Sequence, residues 1–269
     1  MGGIVRLDDI GNWSETKLDI IRRYAEAYSA VITKQTKAEL THIYIDGFAG
    51  AGEHRSRSTG EIVAGSPLNV LGVQYPFAEY HLVDLNPEKT AHLGSLIGDN
   101  RDVFIYNGDC NVILPEQVFP RARYEDYRRA LCLLDPYGLH LDWSVTQTAG
   151  QMRSIDILLN FPMMDMNMNV LWWNAEAVDA DQAARLTRFW GDDTWQEAAY
   201  TKNLVQPNLF GEPEKAGNEA VVKAFQRRLQ DMAGFDFVPD PIAMRNSTNA
   251  IVYYLFFATN NRTGGRIGA

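Results

Sequence analysis

The run Asp46-Gly47-Phe48-Ala49-Gly50-Ala51-Gly52 directly follows a short apolar stretch, His42 to Ile45. A glycine turn at the carboxyl end of a strand lets backbone approach a ligand closely. In an open α/β sheet, ligands sit beyond the carboxyl ends of the strands. The spacing departs from the dinucleotide fingerprint, because the position three after Gly52 is Arg55 rather than a third glycine. An NAD-dependent oxidoreductase is therefore disfavoured. The run also lacks the Gly-Lys-Ser/Thr of a phosphate cradle, which argues against a nucleoside triphosphate. It fits a nucleoside that carries an amino acid and no phosphate. Asp46 is then expected near an ammonium, directly or through water, with Gly47, Phe48, Ala49, Gly50 and Gly52 as the backbone cradle. Asp84 ends the next apolar run, where a carboxylate can accept both ribose hydroxyls, and Leu85 lies beside it. Asp109 follows a third such run and suits an adenine amine, with Cys110 next in the chain. One Asp after a strand is commonplace; three in register after successive strands form a pattern.

A fourth apolar run ends in Leu134-Asp135-Pro136-Tyr137-Gly138. A carboxylate with nearby carbonyls can hold an amine, and an aromatic face can stack on a flat base. Asp135, Pro136 and Tyr137 are the candidate catalytic residues on this basis. The alternative is a rigid turn with a packing tyrosine. His140 and Asp142 follow closely, Asn160-Phe161-Pro162 ends a fifth run on the same side, and Arg55 follows the glycine turn. His140, Asn160 and Arg55 are the candidate substrate contacts. His81 lies inside a strand and reads as structural.

The elements that must position these groups alternate. Trp13 to Ile32 is expected to be a helix, with Ser14 as N-cap, Trp13 and Leu18 as a hydrophobic staple, and Leu18, Ile21, Ala25, Tyr28 and Ile32 on its buried face. Strands are expected at 42–45, 79–83, 102–106, 130–134 and 155–161. Asn86-Pro87 and Ser66-Pro67 are cap-and-proline helix starts. Such alternation indicates βαβ units and a parallel sheet. Residues 166–233 break the rhythm. They read as a helical insertion within a single domain, 1–269, with no clear strand. Val221, Phe225, Leu229 and Met232 form its stripe, and Trp172, Trp173, Phe189, Trp190 and Trp195 serve either as its core or as a lid. Two last strands, 235–244 and 251–258, flank the turn 245–249, and Pro239 and Pro241 push the first to an edge.

The order Asp46-Gly47-Phe48-Ala49-Gly50-Ala51-Gly52, Asp135-Pro136-Tyr137-Gly138-Leu139-His140 and Leu159-Asn160-Phe161-Pro162-Met163-Met164-Asp165 resembles the three-Cys-motif partner protein family, TcmP. Trp13-Ser14-Glu15-Thr16-Lys17 and Tyr253-Tyr254-Leu255-Phe256-Phe257-Ala258 are also similar to it. The resemblance implies a Rossmann-like class I methyltransferase fold, with a mostly parallel seven-stranded sheet and an antiparallel last strand. It implies S-adenosyl-L-methionine as cofactor and a radical-SAM-like protein bearing three cysteines as partner. The fourth-run motif is also similar to that of amino-methyltransferases acting on adenine or cytosine, but with one proline, Pro136, where they carry two. The expected function is methylation of a nitrogen on a nucleic-acid base or related substrate. Asp135 would hold the nucleophile's hydrogens and Tyr137 would stack. The alternative is a nucleoside-binding module acting with the partner.

Composition bounds these readings. The chain has 269 residues, 46% hydrophobic and 22% charged, which suits one large soluble α/β domain. The net charge of −9 argues against a general polyanion-binding surface. Arg55 and Arg57, in one loop, and Arg121, Arg123, Arg128 and Arg129 are the candidates for a local basic groove. Cys110 and Cys132, in apolar surroundings, read as buried thiols without zinc spacing. No apolar run approaches a membrane span, and no signal h-region is present, so a cytoplasmic location is expected.

Overall fold

In the computed structural model, residues 6–35, 40–172, 177–201, 214–215 and 217–261 are described. The chain begins with β1 (Asp8–Ile10), α1 (Asn12–Thr33), β2 (Thr41–Asp46), β3 (Glu53–Ser56), β4 (Ile62–Ala64) and α2 (Ser66–Leu71). It continues through β5 (Glu79–Asp84), α3 (Pro87–Ile97), β6 (Val103–Asn107), α4 (Cys110–Ile113), β7 (Arg128–Leu134), α5 (Trp143–Met152) and β8 (Ile155–Phe161). Then come α6 (Met163–Asn169), α7 (Ala180–Trp190), α8 (Trp195–Ala199), β9 (Tyr200–Thr201), β10 (Glu214–Lys215), α9 (Asn218–Asp231), β11 (Ile242–Arg245) and β12 (Ile251–Ala258).

The main sheet has the order β11-β12-β8-β7-β2-β5-β6. β8, β7, β2, β5 and β6 are parallel, and β12 runs antiparallel to both β8 and β11. This is the Rossmann-like arrangement of class I methyltransferases, as the alternation and the resemblance led us to expect. Helices cover both faces, so the central strands are apolar on both sides; every residue of β8 is buried. Side chains alternate across the sheet. Ile43 and Ile45 join one core with α5, α7 and α9, whereas Tyr44 joins the other with α1, α2 and α3. Asp46 shares the face of Tyr44, which decides what surrounds it.

Local chemistry explains several departures from expectation. α1 starts at Asn12 with Gly11 as N-cap and no side-chain cap. Ser14 is therefore inside the helix and buried, and the expected staple does not form. Trp13 instead packs edge-on against Tyr253, with ring centroids 5.5 Å apart. Ser66 also fails as a cap: Gly65 takes that place, and the Ser66 hydroxyl donates to Asp46 at 2.6 Å. Asn86 caps α3 as expected, accepting from the N–H of Glu88 and Lys89. β1, β3 and β4 form a small sheet that the sequence did not announce. Arg55 lies on β3 rather than in a loop. The expected strand 235–244 shortens to β11, an edge strand beyond Pro239 and Pro241, with one isolated bridge from Phe237 to Thr259. A two-residue antiparallel pair, β9 with β10, interrupts the helices of 166–233.

Phe189, Trp190 and Trp195 are buried, and Phe225 stacks among Phe161, Phe189, Trp190 and Phe256. These aromatics thus belong to the same core as the sheet face. Met232 departs from its stripe and is 50% exposed, because it follows the end of α9. Trp173 lies outside the described residues. His81 is fully buried between Tyr106 and Glu79, as a structural histidine. Cys110 and Cys132 are free and buried. No helix among the described residues is long and apolar enough to cross a membrane.

One buried group makes stability depend on pH. Asp156, on β8 of the main sheet, accepts from Thr259 Oγ1 at 2.6 Å, and burial pushes its pKa up to about 7. A folded-state pKa above the unfolded value means that the folded chain holds the proton more tightly. The stability this provides is full below about pH 4 and is lost as pH rises through about 7. Asp156→Asn keeps an acceptor for Thr259 and removes the titration. It is expected to raise stability by roughly 2 kcal/mol near pH 8 and to change little near pH 4. Urea unfolding at both pH values checks this, and an equal effect at both would refute the assignment.

Candidate functional site

The site is built from the loops at the carboxyl ends of β2, β5, β6, β7 and β8. Asp46 ends β2 and is completely buried. Its carboxylate accepts from Phe48 N at 3.1 Å, Ser66 Oγ at 2.6 Å and Tyr44 Oη at 3.2 Å. Burial raises its pKa to about 6 against these hydrogen bonds, which act the other way. Asp46 is therefore the internal strut of the turn, and contact with a ligand ammonium would have to be indirect. The turn is tied to its neighbours by backbone: Gly47 N donates to Leu133 O at 2.9 Å, and Ala49 N to Val83 O at 2.8 Å. Gly50 adopts φ +64° with open space where a Cβ would project. Gly52 adopts φ +82°, and a Cβ there would lie 2.6 Å from Leu93 Cδ1. Both positions need glycine, one for its conformation above open space and one for close packing on α3. Phe48 leans on the core, and Ala49 is buried.

Asp84 stands at the rim of this turn. Its two oxygens accept from Gly50 N at 2.9 Å and Asn86 N at 2.8 Å. Leu85, next to it, is 72% exposed, an apolar side chain left facing outward at a strand end. Asn107 shapes the loop by donating to the carbonyls of Asp84 and Leu85. Asp109 is exposed and caps α4 through Asn111 N at 2.9 Å. The Cys110 thiol is buried, and its pKa is pushed up to about 12, chiefly by burial. Its side chain therefore faces the core and is inert, leaving only its backbone for ligand contact.

At the end of β7, Asp135 is held from two sides. Lys17 Nζ lies 2.5 Å from its Oδ2, and Asn160 Nδ2 donates to its Oδ1 at 2.8 Å. Donation to a carboxylate fixes the orientation of the Asn160 amide, so Oδ1 is the free end. That Asn160 atom is buried without a partner among the described residues. The structure thus brings Asp135 and Asn160 together as expected. Pro136 is buried and Tyr137 is 90% exposed. The alternative of a packing tyrosine is excluded by that exposure. Gly138 follows with φ +64°, and a Cβ there would crowd Asp165 Oδ2 at 3.2 Å and Arg185 Nη2 at 3.3 Å. His140 is exposed, and its carbonyl is held by Asn111 Nδ2 at 3.1 Å. Asn111 Oδ1 also accepts from Asp142 N at 2.8 Å, clamping the β7 loop to the β6 loop.

Lys17 was not among the sequence candidates. Its signal was present: it occupies the buried stripe of α1, beside Leu18 and one turn before Ile21. A lysine there needs a counter-charge, because buried ammonium groups are rarely left unpaired. It also lies 5.1 Å from the Tyr253 ring. Glu15, two residues earlier, accepts from Ser56 Oγ at 2.7 Å and fastens β3 to α1. His54 on β3 feels the charges of both Lys17 and Asp135. Burial lowers its pKa, and its Nδ1 has no partner among the described residues. Arg55 is exposed on β3 and does not join the Lys17–Asp135–Asn160 group.

The other arginines sit elsewhere. Arg121 and Arg128 both pair with Glu79, at 3.0 and 2.6 Å. Glu79 and Arg128 are the first residues of β5 and β7, so this cluster lies at the opposite edge of the sheet from Asp84 and Asp135. Arg123 approaches Glu125 and Asp126, and Arg129 covers the Tyr124 ring at 3.8 Å. Arg121, Arg123, Arg128 and Arg129 thus form no basic groove beside Asp84 and Asp135.

No protein-family model and no curated protein sequence matches the chain. Solved structures do match. Protein LPL1258 from Legionella pneumophila superposes with a TM-score of 0.50 at 12% identity, covering 93% of this chain and 89% of that one. The DszA carbon methyltransferase matches with a TM-score of 0.47 at 13% identity, over 91% of this chain and 54% of that one. Aeropyrum pernix fibrillarin, solved with natively bound S-adenosyl-L-methionine, matches with a TM-score of 0.38 at 11% identity, over 89% and 76%. At these identities the likeness is one of fold.

Proposed function

We propose that the chain is an S-adenosyl-L-methionine-dependent methyltransferase whose acceptor is a nitrogen of a nucleic-acid base or a related flat, amine-bearing substrate. The observation that carries it is a pair of strand-end devices: Asp84 held by Gly50 N–H and Asn86 N–H, and Asp135 held by Lys17 and Asn160. The residues fit the cofactor. The open space over Gly50 accommodates a ligand's approach to backbone, Asp84 suits a ribose diol, the exposed Leu85 offers an apolar face to adenine, and Asp109 suits its amine. When bound, the cofactor supplies an electrophilic methyl group. The chain's own work is alignment, which can be worth up to about 7–11 kcal/mol in ideal cases. Asp135, a quarter exposed and oriented by Lys17 and Asn160, is the acceptor suited to the hydrogens of an amine. Tyr137 offers its face to the ring that carries the amine. Lys17 holds the carboxylate in place. Because Arg121 and Arg128 lie at the far edge of the sheet, a single base or nucleotide end suits the site better than a long duplex tract.

We place the helices within 166–233 as an insertion that walls this site, because Asp165 and Arg185 abut Gly138 of the Asp135 loop. A second reading is favoured by one contact: Asp135 already has a counter-charge in Lys17. On that reading the chain binds the nucleoside but acts only with its partner, the radical-SAM-like protein of the TcmP resemblance. Transfer from labelled cofactor into nucleic-acid and nucleoside pools, with and without that partner, separates the two.

The site itself is tested by Gly50→Ala. A left-handed φ costs an alanine roughly 1 kcal/mol, and nothing else opposes the added methyl in the free chain. The melting temperature should therefore fall by only a few degrees. The methyl group fills the cradle, so affinity for S-adenosylhomocysteine is expected to fall by about tenfold or more. A calorimetric titration that finds wild-type affinity would remove this turn from the cofactor site.

A further inference from the structure

Arg185 stands on α7 beside the loop that carries Tyr137, and its charge is incompletely met. Its side chain is 21% exposed. Nη1 donates to Gln182 Oε1 at 2.6 Å, an uncharged acceptor one turn earlier on the same helix. Nη2 lies 3.8 Å from Asp165 Oδ2, too far for a hydrogen bond. Asp165 is engaged elsewhere, because its Oδ1 accepts from Asn169 Nδ2 at 2.8 Å. Arg228 on α9 shows what a shielded guanidinium ordinarily does. It donates from Nη2 to Asp192 Oδ2 at 2.6 Å and from Nε to the Trp190 carbonyl. Arg185 has no such carboxylate contact at hydrogen-bond distance among the described residues.

The surroundings say what could complete it. A Cβ on Gly138 would lie 3.3 Å from Arg185 Nη2, so the guanidinium rests against the residue that follows Tyr137. Tyr137, exposed, is the proposed platform for the acceptor's ring. A nucleotide carries its phosphate one sugar away from its base. A base stacked on Tyr137 therefore brings a phosphate within reach of an arginine at the next residue. The guanidinium fork matches phosphate oxygens as it matches carboxylates. Lys17, the cation on the other side of this loop, is already held by Asp135.

We propose that Arg185 is a specificity-determining residue whose Nη2 donates to a phosphate oxygen of the acceptor, so that a nucleotide or a nucleic-acid end is preferred to a free base or nucleoside. Asp165 keeps the guanidinium turned towards the loop without taking that N–H. The assignment rests on the reading of the Asp135–Tyr137 loop as the acceptor site.

The test uses cytidine and cytidine 5′-monophosphate, titrated into the full chain in excess S-adenosylhomocysteine and followed by ligand-observed NMR. Cytosine carries an exocyclic amine, and the excess keeps the probes out of the proposed cofactor site. The monophosphate is expected to bind about tenfold more tightly than cytidine, the worth of one charge-assisted hydrogen bond. Arg185→Met should remove that preference and leave cytidine unchanged. Tyr137→Ala should weaken both probes, which places them on this loop. Gln182→Glu keeps the arginine but offers Nη1 a carboxylate, so it should lower the preference, and it decides the matter if Arg185→Met does not fold. Absence of monophosphate binding, equal affinity of the two probes, unchanged affinities in Tyr137→Ala, or a full preference in folded Arg185→Met or in Gln182→Glu would each overturn the proposal. A calorimetric titration of S-adenosylhomocysteine runs beside it. Failure there overturns the cofactor reading alone, since the two probes report on Arg185 whether or not the cofactor binds.

Discussion

Replacing Lys17 by Met is expected to lower methyl transfer by about 10²-fold while S-adenosylhomocysteine still binds. Lys17 Nζ and Asp135 Oδ2 are 2.5 Å apart, with side chains only 11% and 25% exposed. Removing the ammonium leaves the carboxylate with Asn160 alone, in a place where water compensates poorly. The carboxylate then shifts, and a displacement of about 1 Å at a reacting group can cost about 10²-fold. The cofactor contacts proposed at Gly50 and Asp84 are untouched. Lys17→Arg keeps a charge and should retain more activity than Lys17→Met. A further check needs no acceptor. In a double-mutant cycle of Lys17→Met and Asp135→Asn, unfolding should report a coupling of about 1–3 kcal/mol. Additive effects, together with undiminished transfer by Lys17→Met, would reduce the pair to an incidental surface contact.

Why Lys17 escaped the sequence reading is instructive beside what did not escape. The glycine turn, the Asp after each strand and the Asn86 cap are local: each is decided by neighbours within a few residues, and periodicity places them on strand ends. Asp135 and Asn160 were legible for the same reason, since both end apolar runs. The ion pair spans 118 positions and has no local signature except a lysine in an apolar stripe. Ser66 shows the reverse case. Its local context reads as a helix cap, but Gly65 caps equally well in extended backbone, and the buried Asp46 competes for the hydroxyl. The small sheet of β1, β3 and β4 was invisible because Glu53-His54-Arg55-Ser56 carries no apolar alternation to mark a strand. The arginines could be named as groove candidates, and placing them takes one further step. Arg128 precedes an apolar run, and in a parallel sheet a residue before a strand lies at the edge opposite the ligand. Asp46 was found but given an outward role, whereas its alternation with Ile45 turns it towards Tyr44 and Ser66.

Asp84→Ala is expected to weaken S-adenosylhomocysteine binding by about 10–100-fold, the worth of one or more hydrogen bonds to a charged group. The carboxylate has two duties. It accepts from Gly50 N and Asn86 N, fixing the turn and the start of α3 as one rim, and it is partly exposed beside Leu85. Alanine removes the proposed ribose acceptor and unties the rim together. Because Asp84 is partly exposed and Asn86 still caps α3, the fold itself should lose little, and the melting temperature separates loss of site from loss of structure. Asp84→Asn sharpens the assignment. Its amide can accept from one backbone N–H but turns a second donor towards the other, so it should behave nearly as badly as alanine in binding. A merely structural rim would respond in proportion to stability. A ribose contact responds far beyond it, and calorimetry on both variants at matched folded fraction distinguishes the two. Wild-type affinity in either variant would leave the strand-end carboxylate without a ligand role and move the proposed cofactor site away from β5.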